Sequence, residues 1–559
     1  MSIDTDVGLT IRGLLESQAA QTPDAAALLA PGRDPITYAQ LLAQVEAART
    51  ALLGAGVCRG DRVAVVLPNG PGMAAAFLST ADVATCAPLN PAYRESEFSF
   101  YLSDLTPKAI VVEQGLESPV LAAAKERSIP VIRLCSHREG PAGSFWLEHD
   151  SPAAMGSPNG PPQPDDIALV LHTSGTTSRP KQVPLSNSNL CRSAAHIRRA
   201  LELTAADRCL NMMPLFHIHG LAAALLASLS AGASLVCTPG FYAPRFLEWL
   251  AEFEPTWYTA VPTMHQAILA RVGDQPRSTS LRFIRSSSAA LPPQVMAELE
   301  RVFSVPVIEA YGMTEASHQM ASNPLPPAAR KPGSVGRAAG PEVAILLNGN
   351  LAPSGITGEI VIRGPNVMGG YVANPEANEN AFHAGWFRTG DLGRLDEENY
   401  LFISGRTKEI INRGGEKISP REIDEALLEH PSVAQALAFA LQDTKLGEEV
   451  AAAVVLRPDA SANETELREI VSARLADFEV PRRIVLLDEI PKGPTGKPQR
   501  IGLAAKLGLD ATFEQPLRQA ERREPRTPSE KLVAGLWEHV LGRDNISAQE
   551  NFFDLGGDS

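Results

Sequence analysis

The sequence predicts an α/β protein: a large N-terminal body of layered α/β subdomains with a small β-barrel, then a small α+β C-terminal domain, then a further helix. Three observations carry this. Between Val63 and Ala310, short apolar runs (VAVVL, AIVV, IALVLH, SLVC, WYTAV, FIRSS, VIEAYG) alternate with helical patterns such as Pro293–Phe303. Runs that are apolar on both faces belong to parallel sheets covered on each side by helices. After Pro341 the texture shifts to VAILLNGN, GEIVIRG and YLFISGR with Gly and Asn between them, which reads as antiparallel hairpins closing into a small barrel or sheet. Around 404–408 it shifts again: EEVAAAVVL, a helical pattern over 464–475 and RRIVLLDEI describe a unit of about 100 residues.

The elements follow in order. The 559 residues suit several domains, at about 150 residues each. The stretch 114–163 is rich in Pro, Gly and Ser and reads as mostly irregular. The stretch 209–244 lacks Asp, Glu, Lys and Arg. Pro214, His217, His219, Gly232 and several serines interrupt it, so it reads as a buried helix feeding a buried strand rather than a membrane span. The expected boundaries are a core over 1–404, a C-terminal unit over 405–512, a charged proline-containing linker over 513–526 and a last segment over 527–559. In that segment Leu532, Val533, Leu536, Trp537, Val540 and Leu541 share one helical face, with Ser529 as the expected N-cap.

Composition narrows the function classes. Lys and Arg number 50 against 64 Asp and Glu, a formal charge of −14, and no basic run is present. Nucleic acid and anionic membrane are therefore poor main partners, and any anionic ligand must be held locally. Six cysteines lie far apart with no CxxC, against zinc spacing and a disulfide framework. The acidic start MSIDTDVGLT lacks the basic region of an export signal. A cytoplasmic protein is expected.

Chemistry gathers in five segments. LHTSGTTSRPKQV (171–183) follows the buried strand at 167–171. Thr173, Ser174, Thr176 and Thr177 surround Gly175, and Lys181 follows a proline. Small residues expose backbone N–H groups, hydroxyls add donors and one cation completes a polyphosphate cradle. A Ser/Thr-rich surface turn is the competing reading, since the pattern is not GxxxxGK[ST]. Glu309, Ala310, Tyr311, Gly312, Met313, Thr314 and Glu315 follow another buried strand. Asp391 ends GWFRTGD in what reads as a turn. GRTKEIINRGGEKISP (405–420) comes next, and PKGPTGK ends at Lys497.

In this order and spacing, these segments resemble those of the adenylate-forming superfamily: acyl-CoA synthetases, peptide-synthetase adenylation domains and luciferases. The resemblance covers nearly all of 10–505. PLFHIHGL, TWYTAVPTMHQ, EAYGMTEASHQMASNPLPP, RKPGSVG and RGGEKISPREID are most similar to oxalate-CoA ligases. NFFDLGGDS, ending at Ser559, resembles the phosphopantetheine attachment motif of carrier proteins.

The resemblance implies that a small carboxylic acid attacks the α-phosphate of ATP, pyrophosphate leaves, and a thiol then takes the acyl group. It implies that 173–181 holds the β- and γ-phosphates, Thr314 contacts the α-phosphate, Glu315 ligates Mg²⁺ and Tyr311 stacks on adenine. Asp391 and Arg406 would hold the ribose, and Lys497 would approach the reacting carboxylate. Lys408 matches the hinge of a mobile C-terminal lid. Gly414 and Gly415 would leave room for a pantetheine arm. His217 would wall and gate the acyl pocket, and Ser288 and His318 would satisfy a second substrate carboxylate. An HxH metal pair at His217 and His219 lacks further ligands nearby in sequence. The acceptor would be the 4'-phosphopantetheine arm on Ser559 of a fused carrier, the start of a four-helix bundle, in an assembly-line loading module with downstream domains. The alternative is a ligase making a free CoA thioester.

Departures from the pattern matter. Peptide-synthetase domains place an aspartate after the phenylalanine where this chain has His217 after Phe216, which disfavours amino-acid substrates. Ser178 and Gln182 stand where relatives usually have glycines, and Ser287–Ala290 replaces a glycine and proline common in acyl-CoA synthetases. A noncatalytic scaffold and luciferase-type oxygen chemistry are the remaining alternatives.

Overall fold

The computed structural model describes residues 9–149, 160–173, 180–273, 275–443, 446–457, 460–491, 498–509, 523–541 and 543–548. Among these residues, two large sheets build the body. One has nine strands, with Val307–Met313, Phe283–Ser287, Trp257–Ala260, Arg208–Asn211, Ser234–Cys237 and Ala26–Ala30 running parallel in that spatial order. The other has seven, with Val131–Ser136, Ala109–Glu113, Arg62–Val66, Thr85–Pro88 and Ile167–Thr173 parallel and Lys181–Ser186 turning back antiparallel.

Period-2 alternation explains the layering. Val63 and Val65 point into a central core shared with Leu28, Leu235 and helical residues Leu14, Leu41, Phe77 and Leu225. Ala64 and Val66 point the other way, onto Phe98, Leu102 and Val120. On the nine-stranded sheet, Leu210, Tyr258, Ile284 and Val307 face Trp249, Ile268 and Leu299. The body is thus two sheets around a shared helical layer, each with helices outside. All the apolar runs named from the sequence are strands, and the helix Pro293–Phe303 has its expected bounds.

The stretch 114–163, expected to be mostly irregular, nonetheless holds regular elements among its described residues. It contains the helix Pro119–Glu126 and the strands Val131–Ser136 and Phe145–His149, which form one edge of the seven-stranded sheet. Edge strands bury one face only, so the outward Glu148 broke the apolar run. The buried segment after Asn211 is helical as expected, but its first eight residues, His219–Leu226, are a π-helix leading into the α-helix Ala227–Ser230. Wider turns of that kind recur at functional sites. Gly220 is required there, because a Cβ would stand 2.3 Å from the Pro214 carbonyl oxygen.

The β-rich addition is an antiparallel sheet of six strands including Glu342–Leu347, Gly358–Arg363, Trp386–Leu395 and Leu401–Arg406. The C-terminal unit has its own five-stranded sheet, centred on the hairpin Val433–Asp443 and Gly447–Leu456, with the helices Pro420–Leu428 and Glu464–Ser472 on its core. The helix Pro528–Leu541 follows. Its cap is Thr527 rather than Ser529: the Thr527 hydroxyl accepts from the Glu530 N–H at 3.1 Å and the Glu530 carboxylate accepts from the Thr527 N–H at 2.9 Å. Pro528 then takes the first helical position, where its missing N–H costs nothing. No helix among the described residues is long and apolar enough to cross a membrane.

Candidate active site

Three groups of residues stand on strands of the three sheets of the body and on the segments next to them. The first joins the two large sheets' contributions. Thr173 and Lys181 are opposite partners at the end of the hairpin formed by Ile167–Thr173 and Lys181–Ser186. Lys181 Nζ lies 4.4 Å over the ring of Tyr371, and the Tyr371 hydroxyl donates to Glu315 Oε1 at 2.9 Å. Glu315 lies in the short turn Thr314–Ala316 that ends the strand Val307–Met313. Burial pushes its carboxyl above the usual range, opposed by its own backbone N–H, the Tyr371 hydroxyl, Arg406 and Lys181. Thr314 beside it is half-buried. A buried carboxylate with oxygen neighbours suits a hard divalent cation, so Glu315 fits Mg²⁺ as a ligand. Ser174, Gly175, Thr176, Thr177 and Ser178 lie outside the described residues. Gln182 bonds the Asp104 carbonyl at 2.8 Å and carboxylate at 2.7 Å, so this departure ties the hairpin to the helix Glu95–Leu105.

The second group is Tyr311, Asp391 and Arg406. The Tyr311 hydroxyl donates to Asp391 Oδ2, and Arg406 Nε donates to Asp391 Oδ1 at 2.9 Å. Asp391 is not in a turn, as its motif suggested, but within the strand Trp386–Leu395, where it faces Arg406 across the hairpin. The glycine at 390, with φ +74, made the segment look like a turn. The actual reversal is at 396–400, where Asp396 Oδ1 accepts from the N–H groups of Glu398 and Tyr400. Glu309 and Ala310 are buried one turn of pleat before Tyr311. Glu309 accepts from the Leu291 N–H at 2.9 Å, and burial pushes its carboxyl up to about 7. Gly312 allows a backbone crossing, since a Cβ there would lie 1.8 Å from the His318 carbonyl oxygen.

The third group is a buried polar cluster. His219, at the first turn of the π-helix, has Nδ1 3.0 Å from Ser288 Oγ and Nε2 2.6 Å from Thr259 Oγ1. The ring of His318 is 4.9 Å from that of His219. Ser288 and His318 both have positive φ, +73 and +92, uncommon for residues with a Cβ. Arg285 is fully buried and donates to Thr259 Oγ1 at 3.2 Å and Gln319 Oε1 at 3.0 Å. His217 is half-buried at the loop entering the π-helix, with Nδ1 accepting from the His219 N–H at 3.3 Å.

Sequence reasoning named His217, Ser288 and His318 but gave no site role to His219, Thr259, Arg285, Gln319 or Tyr371. A usable signal existed for Arg285: a charge inside the otherwise buried strand FIRSS. Thr259 and Tyr371 carried none.

In the C-terminal unit, Lys408 is exposed between the last strand of the third sheet, ending at Arg406, and the next sheet's first strand, starting at Ile411. Gly414 and Gly415, with φ +56 and +101, form the two-residue turn between Arg413 and Glu416, as a tight hairpin demands. Lys497 and Ser559 lie outside the described residues.

A parallel-sheet body carrying a lysine hairpin, a buried carboxylate, a Tyr–Asp–Arg group and a buried polar cluster is that of an ATP-dependent, adenylate-forming acid–thiol ligase. Residues 15–372 match the AMP-binding enzyme family and 422–497 match the AMP-binding enzyme C-terminal domain, and the chain belongs to that family. A probable CoA ligase from Humulus lupulus is 45% identical over 505 residues, covering 88% of this chain and 95% of its own. An oxalate–CoA ligase from Arabidopsis thaliana is 44% identical over 499 residues, covering 88% and 97%. The crystal structure of ATP-bound MatB from Rhodopseudomonas palustris superposes with a TM-score of 0.79 at 29% identity, covering 90% of this chain and 99% of that one. ATP with Mg²⁺ is the cofactor pair this family implies, CoA is a fitting acceptor, and the fold is α/β with a large N-terminal and a small C-terminal domain.

Proposed function

We propose that this enzyme converts a short dicarboxylic acid, with oxalate as the first candidate, into its CoA thioester through an acyl-adenylate. One carboxylate oxygen attacks the α-phosphorus and pyrophosphate leaves. The CoA thiolate then attacks the acyl carbon and AMP leaves. The observation that carries the substrate class is the cluster of Ser288, His219 and His318 backed by the buried Arg285, which offers hydrogen bonds and positive charge to a second carboxylate. Similarity to an oxalate–CoA ligase supports the same class.

In this reading Thr173 and Lys181, with Ser174, Gly175, Thr176 and Thr177, hold the terminal phosphates. Thr314 contacts the α-phosphate, Glu315 would hold Mg²⁺, and the ion would offset the phosphate charge. Tyr311, flanked by Glu309, Ala310 and Gly312, lies against adenine, and Asp391 with Arg406 holds the ribose. Lys497 brings positive charge to the α-phosphate as negative charge develops. His217 walls the acyl pocket. Rotation about Lys408 exchanges Lys497 for the hairpin turn at Gly414 and Gly415, which admits the pantetheine arm.

A second reading keeps the same chemistry but loads a fused carrier at Ser559. It is favoured by the helix Pro528–Leu541, whose Leu532, Leu536 and Val540 are 66%, 55% and 68% exposed, as a helix awaiting bundle partners would be. Incubation with ATP and a panel of oxalate, malonate, fumarate, benzoates, short fatty acids and amino acids, with and without CoA, tests both. Pyrophosphate release with oxalate and a soluble oxalyl thioester supports the first reading; a mass increase on the intact protein, dependent on prior phosphopantetheinylation, supports the second. Release only with monocarboxylates or amino acids refutes the diacid assignment.

A further inference from the structure

Arg285 is the one fully buried arginine among the described residues, and no Asp or Glu there forms an ion pair with it. A buried charge without a counter-ion is costly, so its retention calls for a role. Its neighbours supply one. Thr259 and Arg285 are register partners on adjacent parallel strands, so both side chains leave the sheet on the same face. There they meet His219, and His219 meets Ser288.

We propose that Arg285 and Thr259 are positioning residues that fix the direction of a hydrogen-bond relay, Arg285 to Thr259 to His219 to Ser288, so that the Ser288 hydroxyl is presented as a donor to the substrate's second carboxylate. The direction follows from what each group can do. A guanidinium only donates. Arg285 Nη1 lies 3.2 Å from Thr259 Oγ1 and 3.5 Å from His219 Nε2, so both atoms face a donor. Thr259 Oγ1 accepts from Arg285 and spends its proton on His219 Nε2 at 2.6 Å. With Nε2 accepting, the neutral ring carries its proton on Nδ1 and donates it to Ser288 Oγ at 3.0 Å. Ser288 accepts from that donor and so keeps its own proton free to give to the substrate's carboxylate. The opposite direction would aim an Nε2–H at the guanidinium, and an imidazolium would add a second cation beside it.

The backbone agrees with this reading. Ser288 is held at φ +73, a region that penalises a Cβ; such outliers persist where the surrounding structure over-determines them, and they cluster at active sites. Glycine would be the unstrained residue there, but it has no hydroxyl to receive the relay.

This inference rests on the diacid reading for its substrate, while the relay itself is readable without any acid. In full-length protein, Thr259→Val is expected to raise KM for oxalate tenfold or more, with kcat and KM for ATP within twofold. Thr259→Ser keeps the hydroxyl and restores the wild-type KM. In a Ser288→Ala background the valine is expected to add less than twofold, because the end of the relay is already gone. Fully multiplying effects overturn the relay. Independently, long-range ¹H–¹⁵N spectra of histidine-labelled wild type, with the signal assigned through its loss in His219→Gln, are expected to show the Nδ1–H tautomer. An Nε2–H signal overturns the proposal whatever the variants do. If every diacid proves inert, the proposed substrate class fails, and the tautomer still decides the relay.

Discussion

Glu309 makes stability depend on pH in a direction opposite to most carboxylates. It sits in the strand Val307–Met313 with one oxygen accepting from the Leu291 N–H, while its Oε2 is buried without a partner. Burial raises its carboxyl from 4.5 to about 7. Between those values the folded protein keeps a proton that the unfolded chain has released, so the unfolded state binds fewer protons and stability falls as pH rises. The contribution is intact below about 4.5 and lost once pH has passed about 7. At about 1.4 kcal/mol per pH unit the whole effect is about 3 kcal/mol, of which about 2 kcal/mol falls between pH 5 and pH 8. Glu309→Gln keeps the oxygen that Leu291 uses and removes the titration. Urea unfolding followed by tryptophan fluorescence, which samples Trp249 and Trp257 of the same body, is expected to show the variant gaining about 2 kcal/mol on the wild type from pH 5 to pH 8. A difference between the two proteins that stays constant over that range would refute the argument.

Other expectations are read more directly. Asp391→Asn weakens both the Arg406 and Tyr311 contacts, and KM for ATP in pyrophosphate exchange should rise about tenfold with little change in melting temperature. Gly220→Ala forces a Cβ onto the Pro214 carbonyl and should destabilise the fold by about 1–3 kcal/mol, seen as a lowered melting temperature. Lys497→Ala should abolish acid-dependent pyrophosphate release while calorimetry still detects ATP binding. Lys408→Pro should impair one half-reaction far more than the other, and equal loss in pyrophosphate exchange and thioester formation would count against a hinge there.

What the sequence revealed and what it hid divide along a physical line. The parallel strands were legible because burial on both faces leaves continuous apolar text, as in SLVC and WYTA. The edge strand Phe145–His149 was not, because one face meets water and the run is broken by Glu148. The π-helix left no trace, since a widened turn does not alter an almost entirely apolar segment such as HGLAAALL. Asp391 reads as part of a turn from sequence because a positive-φ glycine precedes it within a strand.

The same line runs through the site. Lys181, Thr314, Glu315, Asp391 and Arg406 stand in short segments whose glycines, hydroxyls and charges are visible locally, as the proposed grip on phosphate and ribose by loops and strand ends requires. The buried polar cluster joins residues 219, 259, 285, 288 and 318, which no local window contains. They meet because Trp257–Ala260 and Phe283–Ser287 are sheet neighbours in a register that pairs Thr259 with Arg285. Triphosphate and sugar present the same groups to every enzyme that uses ATP, so local text suffices to hold them. In the proposed reading acid selection depends on which side chains adjacent strands bring together, which only the strand order reveals.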